Sequence, residues 1–385
     1  MRTKICSVAS TQVDSIRELR HRLHGIPELG MVEHKTCALL RHELAAMDLS
    51  IRTLDEPTGL VADLKTARPG KTVVLRADMD GLPVEEATGA SYASRHEGQA
   101  HACGHDGHAA CLVGAARVLS ALRADLCGTV RFVFQPAEEI SAGARTLVRV
   151  GALEDPPADA IIALHTWPGL PPDTVASVPG PMMASCDMFT VHVRGRGGHG
   201  ARPHLARNPL LGISSLTHEL SRVHDSLRVI SPCVVQAGEK ANVIAETGIL
   251  SGTVRALTAE ARDRTLAELH ESVERICTDL GMKGDVRLEV GCPRVENDPR
   301  LYDLFREVGC ALLGPDRTQL LDGPSMGSED FGYYLQHIPG MMFRLGAGIH
   351  APQLHHPTFN FNDDSLETGM TMLAGLAMRF CTGTV

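Results

Sequence analysis

The strongest chemical pattern in the sequence is HACGHDGH at residues 101–108. It places a thiol, Cys103, two residues before an imidazole, His105, at the start of a helical pattern. Thiolate and imidazole are both good ligands for Zn²⁺ and similar divalent ions. A Cys-x-His pair alone is weak evidence. The density of His, Cys and Asp favours a metal site over the alternative, a polar turn in which Asp106 caps the helix.

Three further segments carry side chains of related chemistry at loop or strand-end positions. QPAEE presents the adjacent carboxylates Glu138 and Glu139, ALHTWP presents His165, and LHHP presents His355 and His356. Beside a metal ion, one of two adjacent carboxylates can act as a ligand while the other keeps an exchangeable proton. Taken singly, the glutamates could form a solvated helical turn and each histidine could be structural. Their common position at strand ends favours a shared site.

The composition limits the classes of protein that the chain can belong to. Its 385 residues, 43% of them hydrophobic and 22% charged, predict a globular chain of about two domains. A formal net charge of −9 argues against non-specific nucleic-acid binding. Neither a membrane span nor a secretory signal is expected, because no apolar run approaches the roughly 20 residues that a span needs. The 11 scattered cysteines predict reduced thiols and a cytoplasmic location.

Hydrophobic periodicity predicts the α/β core that would position these motifs. A helical region over 11–48 is interrupted at Gly25 and Pro27. In chain order the predicted elements are helices ending near Leu23 and starting near Glu33, strands over 61–64 and 72–76, a helix over 106–123, a strand over 129–134, a helix over 143–150 and a strand over 160–164.

A second pattern follows a Pro-rich stretch over 167–182, which predicts an exit linker. Its predicted elements are a strand over 188–194, a helix over 207–227, strands over 229–236 and 248–256, a helix over 259–279 and a strand over 286–290. This β-α-β-β-α-β order is ferredoxin-like. We therefore expect a discontinuous domain over 1–182 and 293–385, with an inserted domain over 183–292.

These motifs occur in the order seen in the amidohydrolase branch of the M20 metallopeptidases, which the sequence resembles. The shared segments are RADMDGLP, HACGHDGH, FQPAEE, LHTWP, GRGGHGARPH, NVI, GSEDF and LHHP. The resemblance runs from RHRLHGIPELG at 20–30 to FNFNDD at 359–364. That branch includes hippurate hydrolases and N-acyl-amino-acid amidohydrolases. The resemblance implies a two-metal α/β catalytic domain with an inserted ferredoxin-like α+β lid domain, which also forms homodimers.

The resemblance further implies roles for single residues. Cys103 resembles the ligand that bridges two divalent ions, either Zn²⁺ or Mn²⁺, and Glu138 resembles the general base. The terminal ligands correspond to His105, Glu139, His165 and His355. Of the two neighbouring histidines, His355 is assigned because it holds the second position of the pattern L-H-x-P.

The remaining roles implied by the resemblance concern support and substrate binding. Asp80 corresponds to a carboxylate that orients a ligand, and Asp78 to a supporting residue. His199 resembles a lid histidine that contacts the oxyanion, while Asn242 and Arg255 resemble lid residues that hold the substrate. His96, His101 and His108 are open between supporting roles and plain surface or loop positions.

The implied reaction is hydrolysis of the amide bond of N-acyl-L-amino acids, such as hippurate-like or N-acetyl substrates. Glu138 would take a proton from the attacking water and deliver it to the leaving amine. Two other interpretations stay open. A dipeptidase or carboxypeptidase could use the same scaffold, and a binding protein without activity would be expected to lack a ligand or the base. None of these residues is missing from the sequence.

Overall fold

A computed structural model describes residues 2–53 and 58–383 of the chain. The first of two compact units comprises the chain up to Met182, Glu296–Gly323 and the chain from Asp330 onward, and the second comprises Met183–Val295 and Pro324–Glu329. The short second segment of the second unit interrupts the return of the chain to the first. The catalytic and lid roles expected of the two parts stay predictions.

Helices and strands alternate through most of the described chain. The helices are α1 (Arg2–Ser10), α2 (Val13–His24), α3 (His34–Ala45), α4 (His105–Ala121), α5 (Gly143–Arg149), α6 (Pro209–Leu220), α7 (Ala259–Asp279), α8 (Pro299–Leu312), α9 (Gly332–Leu335) and α10 (Leu366–Thr382). The strands are β1 (Ser50–Thr53), β2 (Leu60–Lys65), β3 (Thr72–Asp78), β4 (Thr129–Gln135), β5 (Ala160–Pro168), β6 (Val175–Ser177), β7 (Gly180–Met183), β8 (Ser185–Arg194), β9 (Gly198–His199), β10 (Arg228–Ala237), β11 (Val243–Ile244), β12 (Thr247–Ala256), β13 (Lys283–Glu289), β14 (Val295–Asn297), β15 (Thr318–Leu320) and β16 (Gly340–Gly348). Among the described residues, no helix is both long enough and apolar enough to cross a membrane.

The first unit is built on an eight-stranded mixed sheet with the order β1-β2-β4-β3-β5-β16-β6-β15. The central strands β4, β3, β5 and β16 are parallel to one another. Strands of this kind are covered on both faces, which explains why every residue of β3 and β4 is buried. Their carboxyl ends share one edge of the sheet, where α/β folds place their functional sites.

One face of this sheet packs against helices α1, α2, α4, α8 and α10 and forms the main core. Helix α4 is buried along most of its length. At Gly107 a Cβ atom would lie 2.1 Å from the ring of Phe361, so only glycine permits this close approach. The first turn of α4 is therefore held tightly against the C-terminal part of the unit.

The second unit contains a four-stranded antiparallel sheet with the order β10-β12-β8-β13. Helices α6 and α7 connect its strands and pack against one face, where Val191 of β8 is buried together with Leu216 of α6 and Leu269 of α7. Burial alternates along β8 and β12, as expected for strands with one packed face. The order β8-α6-β10-β12-α7-β13 confirms the predicted ferredoxin-like arrangement.

The observed elements depart from the prediction in several places: one helix was missed, and two predicted segments have other bounds or another structure. Helix α1 precedes the predicted helical region and was missed, because it buries only Ile5 and Ala9 and so has a weak apolar repeat. The stretch over 167–182 is not simply a linker: it contains the end of β5 and all of β6, which pairs with β16. The helix expected over 207–227 ends at Leu220, and the chain from Arg228 is already a strand.

Candidate active site

Polar side chains lie at or just after the carboxyl ends of three neighbouring strands of the first unit. Asp80 comes shortly after β3, Glu138 and Glu139 come shortly after β4, and His165 lies in the second half of β5. Because β4, β3 and β5 are adjacent and parallel, these side chains meet at one edge of the sheet. The fold thus brings together residues that are far apart in the sequence.

The loop before α4 positions Cys103, and the helix itself begins with His105. Gly104 between them has φ +84°, a left-handed conformation that favours glycine, and a Cβ there would lie 2.6 Å from Thr166. The Cys103 side chain is buried, and its Sγ lies 3.6 Å from His165 Nε2. The thiol and the imidazole ring of His165 therefore face each other.

Hydrogen bonds at Nδ1 fix the orientation of both imidazole rings. His105 Nδ1 lies 3.0 Å from the carbonyl oxygen of Asp80 and 3.1 Å from its Oδ1. His165 Nδ1 lies 2.7 Å from the carbonyl oxygen of Thr166. Because carbonyl oxygens only accept hydrogen bonds, Nδ1 carries a proton in each ring. Nε2 is then the nitrogen left to bind a metal ion, which is how oriented histidine ligands bind.

Glu139 is held from two sides. Its backbone amide donates a hydrogen bond to Asp80 Oδ2 at 3.0 Å, and its Oε1 lies 3.4 Å from His355 Nε2 and 3.8 Å from His105 Nε2. Burial would raise the pKa of Glu139, but the contacts with these two imidazoles outweigh burial and lower the pKa. The carboxylate is therefore ionised and directed at the histidines.

Only one of the two neighbouring histidines of LHHP turns toward Glu139 in the described chain. His355 has φ +67°, and its amide donates a hydrogen bond to the Ala102 carbonyl at 2.8 Å. The Nδ1 atom of His356 instead lies 2.8 Å from Thr358 Oγ1. This geometry supports the choice of His355 over His356.

Glu138 lies in the turn that follows β4, and the residue is 9% exposed. Its Oε2 lies 4.0 Å from His105 Nε2. The preceding residue, Ala137, has φ +53°, and its amide donates a hydrogen bond to Glu33 Oε1 at 2.8 Å. Burial raises the pKa of Glu33 to about 7. Glu33, for which no role was predicted, therefore anchors the strained turn that presents Glu138.

Several overlapping sets of side chains place ligand atoms within 4.8 Å of one another. Three of these sets are Cys103 with His105 and His165, Cys103 with Glu139 and His355, and His105 with Glu138 and Glu139. Sulfur, nitrogen and carboxylate oxygen together suit Zn²⁺ and other first-row divalent ions. Two of the atoms, His105 Nε2 and Glu139 Oε1, are buried without a hydrogen-bond partner among the described residues. The residues present therefore fit divalent metal ions.

Another set combines His105 with Asp78 and His108. His108 is buried, its Nδ1 lies 2.6 Å from Asp78 Oδ1, and its Nε2 accepts a hydrogen bond from the Thr166 amide at 2.8 Å. Both ring nitrogens of His108 are thus occupied, which favours a supporting role over ligation and excludes a surface position. The signal in the sequence was its position one helical turn after His105.

The titratable side chains at this edge of the sheet hold protons, and a cation that binds there would compete with those protons. Burial raises the pKa of the Cys103 thiol well above its ordinary value, and the Glu139 carboxylate raises it further. Burial would lower the pKa of His105, but Asp78 and Cys103 outweigh burial and raise it. Burial lowers the pKa of His165, which keeps this ring neutral. A divalent ion that binds Cys103 and His105 therefore has to displace their protons.

The other three candidate residues belong to the second unit. His199 is exposed on β9, which pairs with β11, and its Nδ1 accepts a hydrogen bond from the Ala201 amide at 3.0 Å. Its Nε2 therefore carries the proton and is free to donate it. Asn242 immediately precedes β11. Arg255 lies in β12, and its Nη1 donates a hydrogen bond to the carbonyl oxygen of Met326 at 3.0 Å.

Buried sulfur, nitrogen and oxygen ligands, with the carboxylate of Glu138 beside them, are typical of metal-dependent hydrolases. Comparison with known proteins identifies the family. The model of "Peptidase family M20/M25/M40" matches residues 74–379. The chain therefore belongs to this family, as the motifs predicted.

Two relatives and one solved structure illustrate which proteins of that family the chain is similar to. The N-acetyl-L-cysteine deacetylase of Bacillus subtilis is 36% identical, over 93% of this chain and 86% of its own length. Thermostable carboxypeptidase 2 of Saccharolobus solfataricus is 33% identical, over 95% of each chain. The crystal structure of the Bacillus subtilis YXEP protein, described as a dinuclear metal binding peptidase, is 32% identical with a TM-score of 0.87, over 96% of this chain and 98% of that one. The predicted fold class and enzyme class, a metal-dependent amide hydrolase, are confirmed.

Proposed function

We propose that the chain hydrolyses the amide bond of N-acyl-L-amino acids, producing a carboxylic acid and a free amino acid. The observation that carries this proposal is the group of Cys103, His105, Glu139 and His165 beside Glu138. Both imidazoles are oriented through Nδ1 and leave Nε2 for an ion. The similarity to a deacetylase of an N-acetylated amino acid supports this class of substrate.

Each residue of the candidate site then has a role in the proposed reaction. Cys103 would help to hold the divalent ions with both groups of candidate ligands, since it lies in one set with His105 and His165 and in a second set with Glu139 and His355. The other ligands would be His105, Glu139, His165 and His355. Asp80 would orient His105 and Glu139, since it contacts both.

The main step proposed for the chain's own residues is the transfer of one proton from water to the leaving amine. When bound, two divalent ions, Zn²⁺ or Mn²⁺, would supply positive charge that polarises the amide carbonyl and acidifies water. Glu138 would accept a proton from the attacking water at its carboxylate and return it to the nitrogen of the leaving amine. His199 would donate a hydrogen bond from Nε2 to the oxygen of the former carbonyl, where negative charge develops.

The second unit would also hold the substrate. We assign Asn242 and Arg255 to contacts with the polar groups of the acylated amino acid. Arg255 Nη1 is bonded to the Met326 carbonyl, and this contact fixes the guanidinium on β12. Its remaining donors are the ones that a substrate carboxylate would use.

A peptidase that takes dipeptides or a C-terminal residue is the second candidate, since one relative is a carboxypeptidase. A panel of N-acetyl and N-benzoyl amino acids, compared with dipeptides, separates the two on protein reconstituted with Zn²⁺ or Mn²⁺. The proposal expects kcat/KM to be highest for an acylated amino acid. Higher values for dipeptides would replace it with the peptidase. Absence of turnover on both classes with full metal occupancy would leave a binding protein as the alternative.

We also propose a homodimer formed through the second unit. Strand β10 is an edge strand of the four-stranded sheet, and Val234 and Val235 on it are exposed. Leu210 and Leu211 are exposed on helix α6 of the same unit. Exposed apolar edge strands are sites where a second chain can add. Light scattering after gel filtration should give the mass of a dimer, and Val235→Lys should shift it toward the monomer.

A cytoplasmic location is a further proposal. All 11 cysteines are free thiols, which is typical of reducing compartments. Fractionation of cells that express the chain would test it, because recovery outside the cytoplasmic fraction would contradict the proposal.

A further inference from the structure

Four arginine side chains are buried in the described chain, and three of them are neutralised by carboxylates. The pairs are Arg20 with Asp106, Arg76 with Asp78 and Asp330, and Arg131 with Asp63. The fourth, Arg344, is 7% exposed, and its Nε and Nη2 are buried without a hydrogen-bond partner among the described residues. A buried charge without a partner is costly, so Arg344 needs an explanation that the other three do not.

Arg344 lies beside the candidate ligands at the edge of the sheet. It pairs with His165 in the register of β16 and β5, so the two side chains project from the same face. Trp167, two residues after His165, projects from that face as well. The guanidinium carbon of Arg344 lies 3.6 Å from the centre of the Trp167 ring, and that ring centre lies 6.0 Å from the centre of the His165 ring.

The unpartnered atoms of Arg344 form the edge of a guanidinium that binds a carboxylate with two hydrogen bonds. Arg131 shows this geometry within the same chain: its Nε donates to Asp63 Oδ1 at 2.7 Å and its Nη2 donates to Asp63 Oδ2 at 3.1 Å. Arg344 presents the same two donors, and no acid of residues 2–53 or 58–383 accepts from them. Stacking on Trp167 fixes the plane of the guanidinium, and a fixed plane favours paired recognition of a carboxylate.

Arg344 stays charged at neutral pH. Burial lowers its pKa to about 10 and is the cause of the whole shift. No acid of the described chain therefore compensates this cation. An anion that compensates it would therefore lie beyond the described residues, and a bound substrate can supply one.

We propose that Arg344, stacked on Trp167, binds a carboxylate of the substrate and so selects acylated amino acids that carry this group over their neutral amides. The inference rests on the proposed function, because it takes the substrate to be an acylated amino acid. Such a substrate can offer a carboxylate from two sources, the α-carboxylate of the amino acid or a second carboxylate on the acyl group. Arg344 is thus a specificity-determining residue, separate from the ligands and from Glu138.

Three matched substrates test the proposal on the metal-loaded enzyme. N-acetyl-L-alanine carries only the α-carboxylate, N-succinyl-L-alaninamide carries only the acyl carboxylate, and N-acetyl-L-alaninamide carries neither. For Arg344→Met we expect kcat/KM to fall by about 10–100-fold on a carboxylate-bearing substrate, which corresponds to hydrogen bonds to a charged group. On the neutral amide we expect a change of less than about threefold. The carboxylate-bearing substrate whose kcat/KM falls shows whether Arg344 binds the α-carboxylate or the acyl carboxylate.

Two further variants sharpen this comparison. Arg344→Lys keeps the charge without the planar pair of donors and should recover only part of the loss. Arg379→Met is the matched control, because Arg379 lies on α10 and pairs with Glu307. It should leave all three substrates unaffected. Equal losses on the acidic and neutral substrates, or no loss on either acid, would overturn the proposal.

The melting temperature distinguishes an arginine that binds substrate from one that supports the fold, because the two roles predict opposite changes on substitution. Replacing an unpaired buried charge by an apolar side chain should raise or preserve the melting temperature. If Arg344→Met instead lowers the melting temperature strongly, the residue supports the fold and the proposal fails.

The inhibition constants of succinate and succinamide repeat the comparison of an acid with its neutral amide without turnover. If wild type hydrolyses none of the three substrates, the proposed function fails first, and binding of succinate still tests Arg344.

Discussion

The carboxylate of Asp80 accepts a hydrogen bond from the backbone amide of Glu139 at 3.0 Å. Its other oxygen lies 3.1 Å from His105 Nδ1. One side chain after β3 thereby orients a ligand candidate after β4 and another at the start of α4. The two candidates reach the same point because a single buried acid is bonded to both.

The first prediction follows from this contact. Asp80→Asn should lower metal affinity by about 10–100-fold, the usual effect of losing a group that orients a ligand. Its amide group can replace only one of the two interactions. Titration with a chelator, followed by metal analysis, measures the effect. Asp48→Asn is the control because Asp48 is an exposed partner of Arg123; equal affinities in the two variants would contradict the assigned role.

The second prediction concerns the base. Glu138→Gln should reduce kcat by at least about 10²–10⁴-fold while the metal content stays at the wild-type level. The amide cannot take the proton from water, yet it has nearly the same shape. Metal analysis and kcat are measured on the same preparation. If metal is lost together with activity, the roles of Glu138 and Glu139 are exchanged.

The third prediction concerns the thiol. Cys103→Ala should lower metal content and activity together, because Cys103 belongs to two ligand sets. Since burial and Glu139 raise the pKa of the thiol, metal has to compete with its proton, and affinity should rise with pH. Activity should accordingly fall as the pH is lowered, because metal then competes less well with the protons on Cys103 and His105. Full metal occupancy and unchanged activity at pH 4 would rule this out. Cys233→Ala, which removes an exposed thiol, serves as the control.

The fourth prediction is the pH dependence of stability that Glu33 imposes. Burial raises the pKa of Glu33 from 4.5 to about 7. The stability that the neutral side chain contributes is therefore complete below pH 4.5 and is lost as the pH rises to 7. Glu33→Gln stays neutral and should gain roughly 2–4 kcal/mol relative to wild type between pH 4.5 and pH 8. Urea unfolding of both proteins at pH 4.5 and pH 8 measures the gain. A constant difference between the two proteins across this range would contradict it.

Local patterns predicted much of this architecture. Helix α7 was predicted over 259–279 and is observed over Ala259–Asp279, because Thr258 caps it and its apolar repeat is regular. The strand-end acids and histidines were found because parallel strands must end at one edge. These inferences needed only spacing along the chain.

What the sequence did not reveal depends on contacts between distant segments. Glu33 precedes α3 and gains its importance only by accepting a hydrogen bond from Ala137. Arg344 is one of many arginines until the sheet pairs it with His165, where the described part of the chain offers it no acidic partner. Strand β6 was hidden by its proline-rich surroundings, and its place beside β16 is set by pairing rather than by propensity.

The last prediction concerns His199. Its Nδ1 accepts a hydrogen bond from the Ala201 amide, so Nε2 carries a proton that can be donated to a developing oxyanion. His199→Ala should therefore leave the metal content near wild type and lower kcat by about 10²–10³-fold, with a smaller change in KM, because the contact is made mainly in the transition state. His204→Ala, five residues further along the chain in an exposed turn, should change neither value and is the control. In a dimer, His199 of one chain could act on the site of the other chain. Mixing Glu138→Gln chains with His199→Ala chains tests whether it does. The mixed dimer regains activity only if His199 acts in trans. An unchanged kcat in His199→Ala would remove the residue from the mechanism, and loss of metal would make it a ligand instead.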